Sequence, residues 1–213
     1  MELNKFNEYT RLAQTTVYSE PEENNFHTKL IPEMVKHFFT PLELPVSSYI
    51  LDIGCGQGTF LDLMRDADYT NTIGVTLSTD DAAACGVKNH TVLSCDMTDL
   101  DVPANMVDFI WCRQAIEHSP YPLFTLYEFN RVLKTGGKVY IEVPAPDCAR
   151  HHEFNKNHYS VLGEKMWGAL FERTGFKVLQ ASHFDFELSH EGKPIPERYL
   201  CFVLEKHDSV TKV

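Results

Sequence analysis

Residues 49–60 read YILDIGCGQGTF, and the types at positions 52, 54, 56 and 58 suit ligand binding better than core packing. An apolar run reaches Asp52, then turns through Gly54, Gly56 and Gly58 into a helical pattern. Glycine has no Cβ, so a ligand can lie against bare backbone and the turn can use dihedrals that other residues avoid. The helix that follows offers unpaired N–H groups to an anionic part of the ligand. Such a corner suits a nucleotide. Its glycines are spaced G-x-G-x-G, with Thr59 at the place of the third glycine of the dinucleotide fingerprint, which argues against an NAD-dependent dehydrogenase.

Further along, the segment SCDMTD (94–99) holds Asp96 and Met97. An ionised carboxylate only accepts hydrogen bonds, so Asp96 suits an amine donor. The segment RQAIEH (113–118) ends in Glu117 and His118. Imidazole can remove a hydroxyl proton near neutral pH, so His118 is a candidate catalytic base; its other reading is a cap that orients the loop. Residues 151–159 gather His151, His152, Glu153, Asn155, Asn157, His158 and Tyr159, which could supply a base, hydrogen bonds to a polar acceptor or metal ligands.

The elements that must position these groups follow from apolar periodicity and turn residues. Strands are expected at 49–53, 72–76, 91–95, 107–112, 138–143, 176–188 and 198–205, with the turn EGKPIP between the last two. Helices are expected from residue 60, at 79–85 with Gly86 as the stop, at 122–133 closing at Gly136 and Gly137, and at 163–174 ending at Gly175. Alternating strands and helices with a final hairpin predict an α/β fold: a mostly parallel sheet with an antiparallel final strand and helices on both faces. Ligands of such sheets bind above the strand C-termini. Residues 1–45 read as an N-terminal helical cap, and 46–213 as the ligand-binding domain, within a single structural domain. Phe26, Leu30, Met34, Val35 and Phe38 share one face of the second helix, which Pro41 and Pro45 end. Tyr18, Phe26 and His27 are candidate lid contacts. Trp167, Tyr159 and Phe154 offer either an apolar acceptor surface or core packing.

With 213 residues and 43% hydrophobic content, one sizeable core is expected. A net charge of -11 disfavours nucleic acid as a partner. The six cysteines form no C-x-x-C pair and read as reduced thiols, which places the protein in the cytoplasm. Neither a signal-peptide segment nor a membrane-spanning run is seen, and the assembly is expected to be a monomer or a homodimer.

The pattern D-x-G-x-G-x-G at 52–58 resembles motif I of class I S-adenosylmethionine (SAM)-dependent methyltransferases, of the small-molecule, methyltransferase-11-like type. The resemblance extends over 49–144, through SCDMTD, the "EH" segment and VLKTGGKVYIEVP (132–144). It implies a Rossmann-like seven-stranded fold, SAM as cofactor and S-adenosylhomocysteine as product. By the same resemblance, Asp52, Gly54, Cys55, Gly56 and Gly58 hold the methionine end, with Arg113 and Gln114 beside it. Asp96 and Met97 would bind adenine. The ribose would lie at Thr76, Leu77 and Ser78, although the family's acidic residue is replaced here by Thr76; the string GVTLS resembles cyclopropane-fatty-acid-synthase relatives. His152 and Tyr159 would face the acceptor, and His118 or His158 would take its proton. Ubiquinone-pathway and small-RNA 3′-end methyltransferases hold a divalent cation through E-x-x-E-H and later residues. Gln114 stands at the first Glu here, so no metal is expected, and Glu117, His118 and His158 are the candidates if one binds. The expected activity is methyl transfer to a small molecule, with O-methylation favoured. The alternatives are an RNA-end or protein methyltransferase, or a non-catalytic SAM-binding subunit.

Overall fold

The computed structural model describes residues 3–13, 26–190 and 193–207. Tyr18 and the acidic stretch at 19–23 lie outside them. The chain opens with α1 (Leu3–Ala13) and α2 (Phe26–Met34), then a π-helical turn at Val35–Phe39 and a 3-10 turn at Thr40–Leu42. There follow β1 (Ile50–Ile53), α3 (Thr59–Asp66), β2 (Thr72–Val75), α4 (Thr79–Val87), β3 (Val92–Leu93) and β4 (Val107–Arg113). The rest is α5 (Pro122–Val132), β5 (Leu133–Pro144), α6 (Glu164–Arg173), β6 (Phe176–His190) and β7 (Lys193–Lys206). The sheet runs β3-β2-β1-β4-β5-β7-β6. Neighbours from β3 to β5 are parallel, and β7 runs antiparallel between β5 and β6. This is the Rossmann-like α/β fold that the alternating elements led us to expect.

Side chains alternate between the two faces of a strand, so each central strand feeds two cores. Leu51, Ile53, Ile110, Cys112, Val139 and Ile141 pack under α5 and α6, against Leu126, Phe129, Trp167 and Phe171. Ile50, Phe109, Trp111 and Tyr140 face α3 and the N-terminal segment, against Phe60, Met64, Met34, Phe38 and Phe39. Trp111 stacks between Phe60 and Tyr140, with ring centroids 4.6 and 4.5 Å away. The same alternation carries Asp52, Arg113 and Glu142 onto this second face, just past the aromatic layer. They stand at the strand C-termini, where β1 has β2 on one side and β4 on the other. That divergence is where α/β sheets bind ligands.

Several expectations need correction. Gly86 lies inside α4; the helix ends at Val87 with Lys88 as its cap, and Asn89 follows with a φ of 62°, the left-handed conformation asparagine tolerates. The third strand pairs only over Val92–Leu93, because its neighbour β2 ends at Val75. The turn EGKPIP is shorter than expected, since Pro194 and Pro196 pair with Ser189 and Glu187. There β7 has no second neighbour among the described residues, so prolines interrupt no ladder on that side. Helix α2 tolerates Pro32 in its interior and widens into the π-helical turn soon after. Trp167 is fully buried and stacks on Phe171, so it is a core residue and not an acceptor contact.

Phe39 meets Phe60, Tyr69 and Phe109 edge-on at 5.9, 5.2 and 5.2 Å, which fastens the N-terminal segment to the sheet. Phe39→Ala is expected to cost about 3–5 kcal/mol in chemical denaturation while leaving one cooperative transition. A loss under about 1 kcal/mol would show that this segment does not share the core.

Candidate active site

The glycine turn holds because Gly54, Gly56 and Gly58 take φ values of 71°, 47° and 83°. A Cβ on Gly54 would stand 2.7 Å from the Ala115 Cβ, so only glycine lets the turn pass beneath residue 115. Gly58 points elsewhere: it packs the turn against Cys85 of α4 and does not border the cavity. The N–H groups of Gly54 and Cys55 both donate to the Val75 carbonyl, at 2.9 and 3.2 Å, and fasten the turn to the end of β2.

A cavity of about 280 Å³ opens above this corner. Asp52, Gly54, Cys55 and Gly56 form its floor, with Thr76 and Leu77 on one side and Asp96 and Met97 beyond them. The Thr76 hydroxyl accepts from Ser78 N at 3.0 Å, and Ser78 in turn caps α4 by accepting from Asp81 N at 3.1 Å. Ser78 is thereby set off the cavity wall, while Asp81, a buried acid that sequence reasoning missed, lies on it. Asp96 forms an Asx turn, its Oδ1 accepting from Thr98 N and Oγ1 at 2.8 and 2.7 Å.

Arg113 and Gln114 border the cavity from the end of β4. Arg113 lies opposite Glu142 in register, and its Nε is 2.9 Å from Glu142 Oε1, an ion pair too bent to count as a hydrogen bond. Its Nη1 donates to the His27 carbonyl at 3.0 Å, while Nη2 is buried without a partner among the described residues. Glu142 also accepts from Gln114 Nε2 at 3.1 Å and from the Tyr140 hydroxyl at 2.7 Å.

The opposite wall is histidine-rich. The 3-10 turn Ile116–His118 presents Glu117 and His118, and the loop after β5 presents His152, His158 and Tyr159. Two bonds tie these segments together: Tyr159 N and Ser160 N donate to the Glu117 carbonyl at 2.7 and 3.2 Å. His118 Nδ1 donates to the Asn157 carbonyl at 2.8 Å, and His152 Nε2 lies 3.0 Å from Glu197 Oε2. The His158 ring is 4.8 Å from that of His118 and 5.6 Å from that of His152. Phe154 stands in solvent, 81% exposed, off the cavity lining. His27 and Arg150 complete the wall, and Arg150 was not foreseen.

Burial sets the charges here. It pushes Glu117 up to about 8, with Glu142 adding to the rise and Arg113 opposing it. It pulls His158 down to about 4, aided by His118 and His152, and lowers His118 against the bond to Asn157. His27 is drawn down to about 3 by burial and then by Arg113 and Arg150. At neutral pH these imidazoles are uncharged, so they can accept a proton or offer a lone pair.

Residues 25–181 match the family described as Methyltransferase domain. The chain belongs to this family. It is a class I SAM-dependent methyltransferase by family. Phosphoethanolamine N-methyltransferase 3 of Arabidopsis thaliana is 28% identical over 163 residues, which are 70% of this chain and 33% of that protein. The 27-O-demethylrifamycin SV methyltransferase of Amycolatopsis mediterranei is 26% identical over 153 residues, 64% of this chain and 56% of that one. The chain thus spans less than two thirds of either relative. The solved complex of the Haloferax volcanii Trm112 methyltransferase activator with a methyltransferase contains a chain matching at TM-score 0.73 and 18% identity, over 97% of both chains. That likeness concerns the fold alone. Among the described residues, no helix is long and apolar enough to cross a membrane.

The lowered His27 has a consequence for stability. Its folded value of about 3 lies below the ordinary 6.5, so its contribution is full above pH 6.5 and is lost as pH falls toward 3. Between pH 7 and pH 4 the wild type is expected to lose on the order of 1–3 kcal/mol more than His27→Gln in urea denaturation. Equal slopes for the two proteins would show that His27 is not held neutral.

Proposed function

We propose that the cavity binds SAM with adenine beside Asp96 and Met97, ribose over Thr76, Leu77 and Asp81, and the methionine end between Asp52, the glycine turn and Arg113. The fit rests on two observations: the Gly54 turn leaves no room for a Cβ, and Arg113 keeps Nη2 without a partner among the described residues. A guanidinium fixed on its other nitrogens with one edge to spare suits a carboxylate. Gln114 sits beside it. Since the Thr76 hydroxyl serves Ser78, we assign the acidic ribose contact to Asp81, whose carboxylate can accept from hydroxyls. S-adenosylhomocysteine would take the same contacts.

When bound, SAM supplies a methyl group on a positively charged sulfur; the acceptor atom takes it in line, and the electrons of the broken C–S bond return to sulfur. The acceptor we propose is a hydroxyl of a small molecule. His118 and His158 are placed to receive its proton, and His152, Tyr159 and Arg150 border its pocket. Smallness is supported by the loop that Tyr159 N fastens to Glu117, which fixes one wall of the pocket, and a net charge of -11 weighs against RNA. The described part of residues 1–45 acts as a cap in this reading, since Thr10, His27 and Ile31 border the cavity. Six free thiols support a reducing, cytoplasmic setting. The observation that carries the proposal is the convergence of Asp52, Asp96, Arg113 and two neutral imidazoles on one cavity.

The test is transfer of labelled methyl from SAM to panels of hydroxylated and amine acceptors. His118→Ala is expected to keep SAM affinity within about twofold while turnover of a hydroxylated acceptor drops about 10²–10⁴-fold. Undiminished turnover would remove His118 from the chemistry, and label entering only amines would overturn O-methylation.

A further inference from the structure

We propose that Arg150 sets the specificity of the acceptor pocket by binding a carboxylate of the methyl acceptor, which makes that acceptor a small hydroxy acid with one negative charge. The inference deepens the SAM reading and rests on it for the ligand's role as acceptor.

Arg150 borders the cavity from the loop after β5, at its exposed rim. Its guanidinium makes no ion pair or hydrogen bond among the described residues. Glu197, the acid that anchors this loop, is already engaged. Its Oε1 accepts from Arg150 N at 2.8 Å, and its Oε2 lies 3.0 Å from His152 Nε2. Glu197 therefore fixes the backbone of Arg150 and leaves the charge of the side chain uncompensated.

The rest of this wall does not supply the missing negative charge. Arg113 is matched by Glu142, with Nε and Oε1 2.9 Å apart. Glu117 is 1% exposed, and burial pushes its carboxyl up to about 8, so at neutral pH it is mostly protonated. His27 and His158 are kept neutral by burial and then by neighbouring positive charge, with Arg150 contributing at both rings. That contribution puts the guanidinium within electrostatic reach of the histidines. In a chain of net charge -11, the histidine wall thus carries one unmatched positive charge.

A second observation points to the same ligand. Asn155 Nδ2 donates to His158 Nε2 at 3.1 Å, so the proton of the neutral ring sits on Nδ1. Nδ1 is buried without a hydrogen-bond partner among the described residues, and the ring borders the cavity. A buried N–H that lacks an acceptor is costly, and an oxyanion in the pocket removes that cost. The guanidinium and this N–H together provide donors for both oxygens of a carboxylate. A single positive charge matches a carboxylate better than a doubly charged phosphate. His158 then orients the acceptor, and the hydroxyl proton falls to His118, whose Nδ1 donates to the Asn157 carbonyl and whose lone pair lies on Nε2.

The test uses the full chain, with and without saturating S-adenosylhomocysteine. Lactate, mandelate and salicylate are titrated, each beside its neutral amide, with inorganic phosphate as the doubly charged control. At least one acid should bind about 10-fold or more tightly than its amide. Arg150→Gln should abolish that preference and Arg150→Lys should keep part of it, with circular dichroism and S-adenosylhomocysteine affinity unchanged. For an acid that is methylated, Arg150→Gln should raise KM about 10-fold and leave kcat within about twofold. The proposal is overturned if no acid is preferred to its amide, if the preference survives Arg150→Gln, if phosphate binds more tightly than every carboxylate, or if the label forms a methyl ester. If a variant fails to fold, the acid–amide comparison in the wild type decides. Acid preference without S-adenosylhomocysteine binding would leave this site standing and remove the SAM placement alone.

Discussion

Glu142 is a carboxylate with no exposed surface in the middle of a sheet, and much of the cavity is arranged around satisfying it. Arg113, Gln114 and Tyr140 converge on its two oxygens. Buried ion pairs are poor sources of stability, because desolvation offsets most of the attraction. What this one does is hold position. It holds Arg113, which borders the cavity, at the end of β4. It also helps hold Gln114 in a left-handed conformation, φ 50°, with Gln114 N donating to the Glu142 carbonyl at 2.8 Å. That kink turns the chain so that Ala115 covers Gly54 and the 116–118 turn faces the loop after β5. The aspartate-lined end and the histidine-lined end of the cavity thus share one anchor.

The two ends differ electrostatically. Asp52, Asp81 and Asp96 border one end, which suits a cationic ligand with many donors. The histidine-lined end has imidazoles that burial keeps neutral and a glutamate that burial pushes up to about 8. A neutral, partly desolvated pocket is one in which a single added charge has a large effect. The same pocket is held by bonds that run between distant segments: Glu197 Oε1 accepts from Arg150 N at 2.8 Å, while its Oε2 meets His152.

Much of this was legible in the sequence, for identifiable reasons. The glycine turn, the buried central strands and the segments holding Asp96 and His118 are local patterns, readable because each is set by neighbours within a few residues. Glu142 and Glu197 were not legible, since their importance depends on strand register and on a loop folding back. Asp81 was missed because it lies in the first turn of α4, where an acid reads as ordinary helix chemistry. Gly86 misled for the converse reason: glycine is a common stop, but here it lies inside the helix, which ends at Val87. The proximity of Glu117, His118 and His158 needed the tertiary fold, although each residue was noticeable by type.

The central claim is that Arg113, fixed by Glu142, grips the carboxylate of a SAM-derived ligand lying across the glycine turn. A crystal structure with S-adenosylhomocysteine tests it most directly. The expected result is the ligand carboxylate within hydrogen-bond distance of Arg113 Nη2, with adenine beside Asp96 and Met97. A ligand whose carboxylate lies away from Arg113, or whose adenine occupies the histidine end of the cavity, would contradict it.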